Sequence, residues 1–310
     1  RRGTETNCTL QTSRKREEIG QKFLKGLQKM LRIYYRISDK SYPKPKLPEI
    51  EKEDCLRNFI NIFQDDPFYF FFCDNCESEA VDMVKRLTSG IKRKKIFETS
   101  YGNAGALKFA MEVAAHDKAA ANTLAYFVED DYLHRPKAPK LIEQGLEIAD
   151  YVTLYDHPDK YMEGYYGGGE WSQVKKTADS HWRYTASTCM TFAAKLSTIR
   201  RDESSWAEFI SEDHPHDHQV FTQGLVNRYG LEDAKLAVCI PGAAFHTDLT
   251  VPIETGCWME EWALDYACKK AEAKLAPMTA DDVQVLQGST GMDRLKILAA
   301  LSFNKKSHQN

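Results

Sequence analysis

An apolar run, Thr123, Leu124, Ala125, Tyr126, Phe127 and Val128, ends directly in Glu129, Asp130 and Asp131. Three adjacent acids at the end of a buried strand repel one another unless water or a cation compensates them. A solvated strand end or a helix cap is the plain explanation, and a divalent ion with oxygen ligands is the sharper one. Asp131 leads as metal ligand. Glu129 would share its side if the strand continued through the triplet, supporting the metal or ribose hydroxyls, while Asp130 would point inward as a structural partner. His246, after the Pro241-Gly242 turn, offers an imidazole that could complete the coordination shell, although a lone His is more often structural.

Further candidates stand at other strand ends. Ser38-Asp39 and Asp74-Asn75 place short acids where they could hydrogen-bond a polar ligand, or act only as turn residues and N-caps. Ser100, Asn103 and Gly105 lead into a helix whose first amides could face phosphate, with Lys108 one turn further in. In Ser211-Glu212-Asp213-His214-Pro215-His216-Asp217-His218-Gln219, Asp213 and Asp217 are carboxylates ahead of a helical stretch, and Asp217 could simply cap that helix. The three His residues there have no second ligand cluster nearby, so zinc is set aside. Cys73 and Cys76 form a CxxC that no second CxxC answers, and redox or zinc chemistry is not assigned to it.

The elements that must position these groups alternate. Apolar spacing predicts helices over 16–31, 54–63, 77–88 and 103–115, and strands over 31–38, 68–73, 95–97 and 124–129; Pro43, Pro45 and Pro48 mark a loop. Such alternation implies a mostly parallel sheet with right-handed crossovers, helices on both faces, and ligands at the strands' carboxyl ends. Further on, the pattern gives a helix from about 136 to 149, a strand over 151–155, a turn at 156–159, a strand or strand-helix junction over 185–192, a strand over 236–240, and mainly helices over 257–303. Glycines 167–169, flanked by Tyr165, Tyr166 and Trp171, suit a mobile lid or a plain surface loop. His181, Trp182, Tyr184 and Trp171 are candidates to line an acceptor site or to join the core.

The 310 residues, 42% hydrophobic, suffice for one large domain with a C-terminal elaboration. A net charge of -3 argues against nucleic acid as the partner of the chain as a whole. No apolar run approaches the roughly 18 residues that span a bilayer. Eight scattered cysteines, several within apolar runs, fit a soluble protein of a reducing, cytoplasmic compartment.

Tyr35-Arg36-Ile37-Ser38-Asp39, Gly102-Asn103-Ala104-Gly105, Tyr126-Phe127-Val128-Glu129-Asp130-Asp131-Tyr132-Leu133 and Tyr151-Val152-Thr153-Leu154-Tyr155-Asp156-His157-Pro158 occur in this order. Together they resemble the GT-A class of nucleotide-sugar-dependent glycosyltransferases, and within it bacterial and large algal-virus enzymes that include viral xylosyltransferase-like proteins. The resemblance covers roughly residues 31–250. It implies an α/β, Rossmann-like GT-A fold with a mixed, mostly parallel sheet flanked by helices, followed by C-terminal helices.

It further implies an N-terminal extension and helix over 1–30, a nucleotide-sugar-binding half over 31–132, an acceptor-binding half over 133–255 and a helical elaboration over 256–310. The function implied is a metal-dependent, inverting transfer of a sugar from a nucleotide diphosphate, UDP-linked and possibly UDP-xylose, to a glycan hydroxyl. Mn2+ or Mg2+ would bind at Asp131, Glu129 and His246, and the nucleotide sugar at Ser38, Asp39, Asp74, Ser100, Asn103, Gly105, Lys108, Glu129 and Asp130. A carboxylate, Asp217 or Asp213, would take the acceptor proton. The alternatives are a sugar-phosphate nucleotidyltransferase, which usually needs a Gly-rich, basic loop after its first strand that Ser38 to Pro43 lack, and a glycan-binding module without catalysis.

Overall fold

Consecutive aromatic and β-branched residues dictate the strands that open the chain. A computed structural model describes residues 31–40, 44–163, 172–210, 217–225, 236–250, 260–275 and 278–307. In β1 (Leu31–Ile37) and β2 (Phe68–Asp74) nearly every side chain is buried, as two covered faces require. β3 (Lys94–Thr99) and β4 (Leu124–Glu129) join them, with α1 (Lys52–Ile62), α2 (Ser78–Leu87) and α3 (Gly102–Ala115) as crossovers. α1 starts at a capping box between Glu51 and Asp54.

After β4 come β5 (Tyr132–His134), α4 (Ala138–Gly145), β6 (Tyr151–Thr153), β7 (Val174–Lys176), β8 (His181–Thr185), β9 (Phe192–Lys195) and α5 (Leu196–Phe209). A short helical stretch from 217 to 224 precedes β10 (Leu236–Ile240) and β11 (Ala244–His246). Among the described residues nine strands form one sheet in the order β3-β2-β1-β4-β9-β6-β10-β8-β7. β9 runs antiparallel between β4 and β6, and β8 runs antiparallel to β10; the pairs β1–β2, β2–β3, β1–β4 and β6–β10 are parallel. This is the mixed, mostly parallel α/β sheet that the sequence implies.

Helices cover both faces. On one, Phe59 of α1, Val84 of α2 and Ile142 of α4 pack on Ile33, Tyr35 and Tyr126. On the other, Met111 of α3 and Ile199 and Trp206 of α5 meet Tyr34, Phe127 and Phe192. Stacked rings cross the strands here, with centroids 4.9 Å apart for Tyr34–Phe70, 4.6 Å for Tyr34–Phe127, 4.8 Å for Phe127–Phe192 and 4.7 Å for Phe192–Trp206. β5 and β11 form a separate two-stranded ribbon. Over it α6 (Glu261–Leu275), α7 (Ala280–Leu286) and α8 (Gly291–Ser307) build a third core with Leu47, Leu133, Phe245 and Leu249. No described helix is long and apolar enough to cross a membrane.

Several sequence expectations need correction. Of residues 185–192, Thr185 ends β8 and Phe192 opens β9, while 186–191 form a loop rather than a strand, because Thr188 ties its own backbone and side chain to Asp217 and to Met190 N. β6 stops at Thr153 because the next carbonyl, on Leu154, turns to accept from Ala243 N and Ala244 N. The helix expected to reach 149 ends at Gly145. The helix over 16–31 and the glycine-rich segment 164–171 lie outside the described residues.

Candidate functional site

The carboxyl ends of β1, β2 and β4 converge because these strands are adjacent and in register, which sets Arg36 directly opposite Glu129. The strand does not run through the acid triplet: β4 stops at Glu129, and Asp130 and Asp131 form the turn into β5. Alternation therefore does not align Glu129 with Asp131. Instead each carboxylate has its own cation.

Glu129 Oε1 accepts from Arg36 Nη1 at 2.8 Å. Asp130 Oδ2 accepts from Ser38 N at 3.1 Å and lies 3.2 Å from Lys52 Nζ. Asp131 Oδ2 accepts from Lys46 Nζ at 2.6 Å and lies 3.0 Å from His246 Nε2. Burial pushes Glu129 and Asp130 above the usual carboxylate range, against the pull of Arg36 and Lys52 respectively. Burial acts the same way on Asp131, but His246 and Lys46 outweigh it and hold this carboxyl far below the usual range.

Asp131 Oδ1 is buried and has no hydrogen-bond partner among the described residues. An anionic oxygen in that state is one electrostatic ligand short. The donor set fits a divalent cation at the level of two protein groups, Asp131 and His246. Among the described residues no three His, Cys, Asp or Glu side chains already form a metal cluster, and Glu129 faces Arg36 instead. Tyr132 stacks on His246, with ring centroids 4.7 Å apart, and fixes the imidazole plane.

The remaining candidates divide. Asp74 is fully enclosed: Oδ1 takes Tyr101 N at 2.7 Å and Thr99 Oγ1 at 3.1 Å, and Oδ2 lies 3.5 Å from Arg36 Nη2. It braces the entry to α3. Asp39 is exposed and its Oδ2 accepts from Glu77 N at the start of α2. Ser38 is buried, and its carbonyl accepts from Lys52 Nζ. Ser100, Asn103 and Lys108 are exposed around the first turn of α3. A side chain at Gly105 would press its Cβ to 2.8 Å from Tyr101 Cβ, which explains the glycine without a ligand.

Asp217 opens the short helical stretch, and its Oδ2 accepts from Thr188 N at 2.8 Å and Thr188 Oγ1 at 2.7 Å. Asp213 lies outside the described residues, as do His214 and His216. Trp182 is core, its indole donating to Thr177 Oγ1. Sequence reasoning missed Arg36, Lys46 and Lys52. An Arg inside an apolar strand was a readable signal for the first. The two lysines depend on how the Pro-rich connection folds back.

No protein-family model matches the chain, and no curated protein matches it. Solved structures with a similar arrangement include a mannosyltransferase from Pyrobaculum calidifontis, in complex with GDP-Man and Mn2+, at 13% identity and a TM-score of 0.42, covering 88% of this chain and 69% of that one. An inositol-1-phosphate CTP transferase from T. maritima matches at 13% identity and a TM-score of 0.42, over 78% and 97% of the two chains. A 4-diphosphocytidyl-2C-methyl-D-erythritol synthase from Anaerococcus prevotii matches at 13% identity and a TM-score of 0.39, over 70% and 89%. Likeness at this level assigns the chain neither a family nor an activity.

Proposed function

We propose that the chain is a metal-dependent glycosyltransferase that moves a sugar from a nucleotide diphosphate to a glycan hydroxyl. The observation that carries this reading is the buried, unpartnered Oδ1 of Asp131 beside His246, at the carboxyl edge of a Rossmann-like sheet. A divalent cation held by Asp131 and His246 would stabilise the charge that gathers on the diphosphate as the glycosidic bond breaks. Lys46 and Lys52 supply further positive charge on the same side. Asp39 and the exposed residues Ser100, Asn103 and Lys108 are assigned to the nucleotide sugar, and residues 31–132 and 133–255 to its donor and acceptor halves.

On the acceptor side, Asp217, oriented by Thr188, is the carboxylate assigned to remove the hydroxyl proton, with inversion; Asp213 stays in reserve. The xylosyltransferase-like resemblance makes UDP-xylose the first donor to try, with Mn2+ or Mg2+ as the ion. The scattered free thiols support a cytoplasmic protein.

One observation favours a second reading. Lys46, from the β1–α1 connection, and Lys52, the first residue of α1, bring to the acids the basic groups that a sugar-phosphate nucleotidyltransferase carries after its first strand. Products separate the two: a glycosyltransferase releases the nucleoside diphosphate, whereas a nucleotidyltransferase releases pyrophosphate from a nucleoside triphosphate and a sugar phosphate.

The test is a screen of UDP- and GDP-sugars, and in parallel of nucleoside triphosphates paired with sugar phosphates, with Mn2+ binding followed by electron paramagnetic resonance in wild type, Asp131→Asn and His246→Ala. Turnover of one donor and loss of Mn2+ binding in both variants are expected. Pyrophosphate as product would move the assignment to the second reading, and Mn2+ binding unchanged in Asp131→Asn would remove the site.

A further inference from the structure

The Asp131–His246 pair and Asp217 stand on different strands and loops, and one buried side chain touches the surroundings of both. Tyr132 follows Asp131 directly, opens β5 and is fully buried. Its cross-strand partner in the β5–β11 ribbon is His246, which puts the two rings on one face of the ribbon. They stack with centroids 4.7 Å apart and planes 19° from parallel. Tyr155 packs edge-on against both, 5.7 Å from Tyr132 and 5.9 Å from His246. The Tyr132 hydroxyl donates to the Cys189 carbonyl in the β8–β9 loop at 2.6 Å.

That loop carries the residue that orients Asp217. Thr188 donates to Asp217 Oδ2 from its backbone N and from Oγ1, and the same Oγ1 accepts from Met190 N at 3.2 Å. Next in the chain, Cys189 (φ 45) and Met190 (φ 63) are consecutive non-glycine residues in the left-handed region, where a Cβ crowds the backbone. Such a turn persists only while its surroundings hold it. Thr191 ties the far end to the core, with its Oγ1 3.0 Å from Tyr126 OH. Tyr132 holds the strained pair from its middle. A strained turn kept in place by a few hydrogen bonds has a relaxed alternative, and each anchor biases the choice between the two.

We infer that Tyr132 is a positioning residue that couples the Asp131–His246 pair to Asp217, so that occupancy of the pair by a divalent cation tightens the 186–191 loop that orients the carboxylate. The inference rests on the transferase reading, in which Asp131 and His246 hold the ion and Asp217 is the base. Once His246 is committed to an ion, its imidazole holds the plane of the stacked phenol. The phenol hydroxyl in turn holds the Cys189 carbonyl in its strained place, and Thr188 keeps its two hydrogen bonds to Asp217. Linkage runs in both directions, so a change that loosens the loop must weaken binding of the ion by the same factor. The base is therefore aligned best when the site that stabilises the leaving diphosphate is filled.

The experiment uses the full chain with Mn2+ alone and needs no donor. Hydrogen exchange read by mass spectrometry follows the peptide covering 186–191, electron paramagnetic resonance follows Mn2+ binding, and thermal melting checks folding. Wild type, Tyr132→Phe, Thr188→Val and the double variant are compared. Tyr132→Phe keeps the ring on His246 and removes only the hydrogen bond. In wild type, saturating Mn2+ should slow exchange across 186–191 by about two- to tenfold, the range set by one neutral hydrogen bond. In Tyr132→Phe that slowing should vanish while Mn2+ still binds. Thr188→Val should weaken Mn2+ binding by about twofold or more in the wild-type background and leave it unchanged in Tyr132→Phe, which marks coupling through the hydroxyl. An equal Mn2+ effect on 186–191 in wild type and Tyr132→Phe would overturn the inference, as would no effect in a wild type that binds Mn2+; either result leaves the transferase reading standing. Failure of wild type to bind Mn2+ would remove the metal site and this inference together. If Thr188→Val does not fold, the exchange comparison between wild type and Tyr132→Phe decides.

Discussion

Arg36→Met should expose how the acid cluster is balanced. The guanidinium lies 2.8 Å from Glu129 and 3.5 Å from Asp74, and the side chains of Arg36, Glu129 and Asp74 are 17%, 19% and 0% exposed. Removing one partner of a buried ion pair typically costs about 3–5 kcal/mol, because the other charge is left uncompensated. Here protonation sets a ceiling. From the ordinary value of 4.5, neutralising Glu129 at pH 7 costs about 2.5 pH units at 1.36 kcal/mol each, or about 3.4 kcal/mol, and the native state need lose no more than that on this account. At pH 5 the same cost is only about 0.7 kcal/mol.

Without its cation Glu129 has a folded pKa raised above the unfolded one, so stability is complete below about 4.5 and is lost as pH rises. Guanidinium unfolding of wild type and Arg36→Met at pH 7 and pH 5 measures both numbers, and adding Glu129→Gln to the variant should recover most of the loss at pH 7. A defect under 1 kcal/mol at pH 7, or one that does not shrink at pH 5, would refute the reasoning.

Gly145→Ala places a Cβ 2.5 Å from Val152 Cγ1 and 2.6 Å from Trp182 Cη2, so a loss of about 1–3 kcal/mol is expected in thermal or denaturant unfolding, and an unchanged melting temperature would show that α4 can shift. Burial, followed by the charge of Glu147, raises Glu143 to about 7. Its proton is bound more tightly in the folded chain, and the associated stability is present below about 4.5 and lost as pH rises through 7. Glu143→Gln should therefore match wild type at pH 4 and exceed it at pH 8 by about 1–2 kcal/mol, which paired melts at the two pH values would check.

Continuous aromatic runs made β1, β2 and β4 legible, since strands covered on both faces carry no alternation to misread. α5 was missed because Thr198, Asp202 and Ser205 are buried among its few apolar residues and hide the helical period. Asp202 is satisfied there by Tyr151 and Arg201, partners that are unknowable before the fold is known. In the site, Asp131 and His246 were chosen on residue type and now lie 3.0 Å apart. Lys46 was read as part of a proline-rich spacer. Asp74 looked exposed to ligand as a strand-end acid, yet the structure spends both its oxygens on Thr99, Tyr101 and Arg36. Local pattern reports which strand a residue ends, whereas the partner that claims its side chain comes from another strand or loop.

The short ladder that places Lys46 also dictates when the acid pocket can exist. Leu47 N donates to Thr247 O at 2.7 Å, Leu249 N to Pro45 O at 2.8 Å and Thr247 N to Asp131 O at 2.8 Å, so three stretches separated by about 85 and 115 residues close a ring around one carboxylate. Contacts of such separation form late, after loop-closure entropy has been overcome. During synthesis, a chain that has emerged only as far as β5 already carries Glu129, Asp130 and Asp131 but has neither His246 nor the stretch that seats Lys46. The pocket is thus a product of completed folding, and partly folded chains present their acids to solvent.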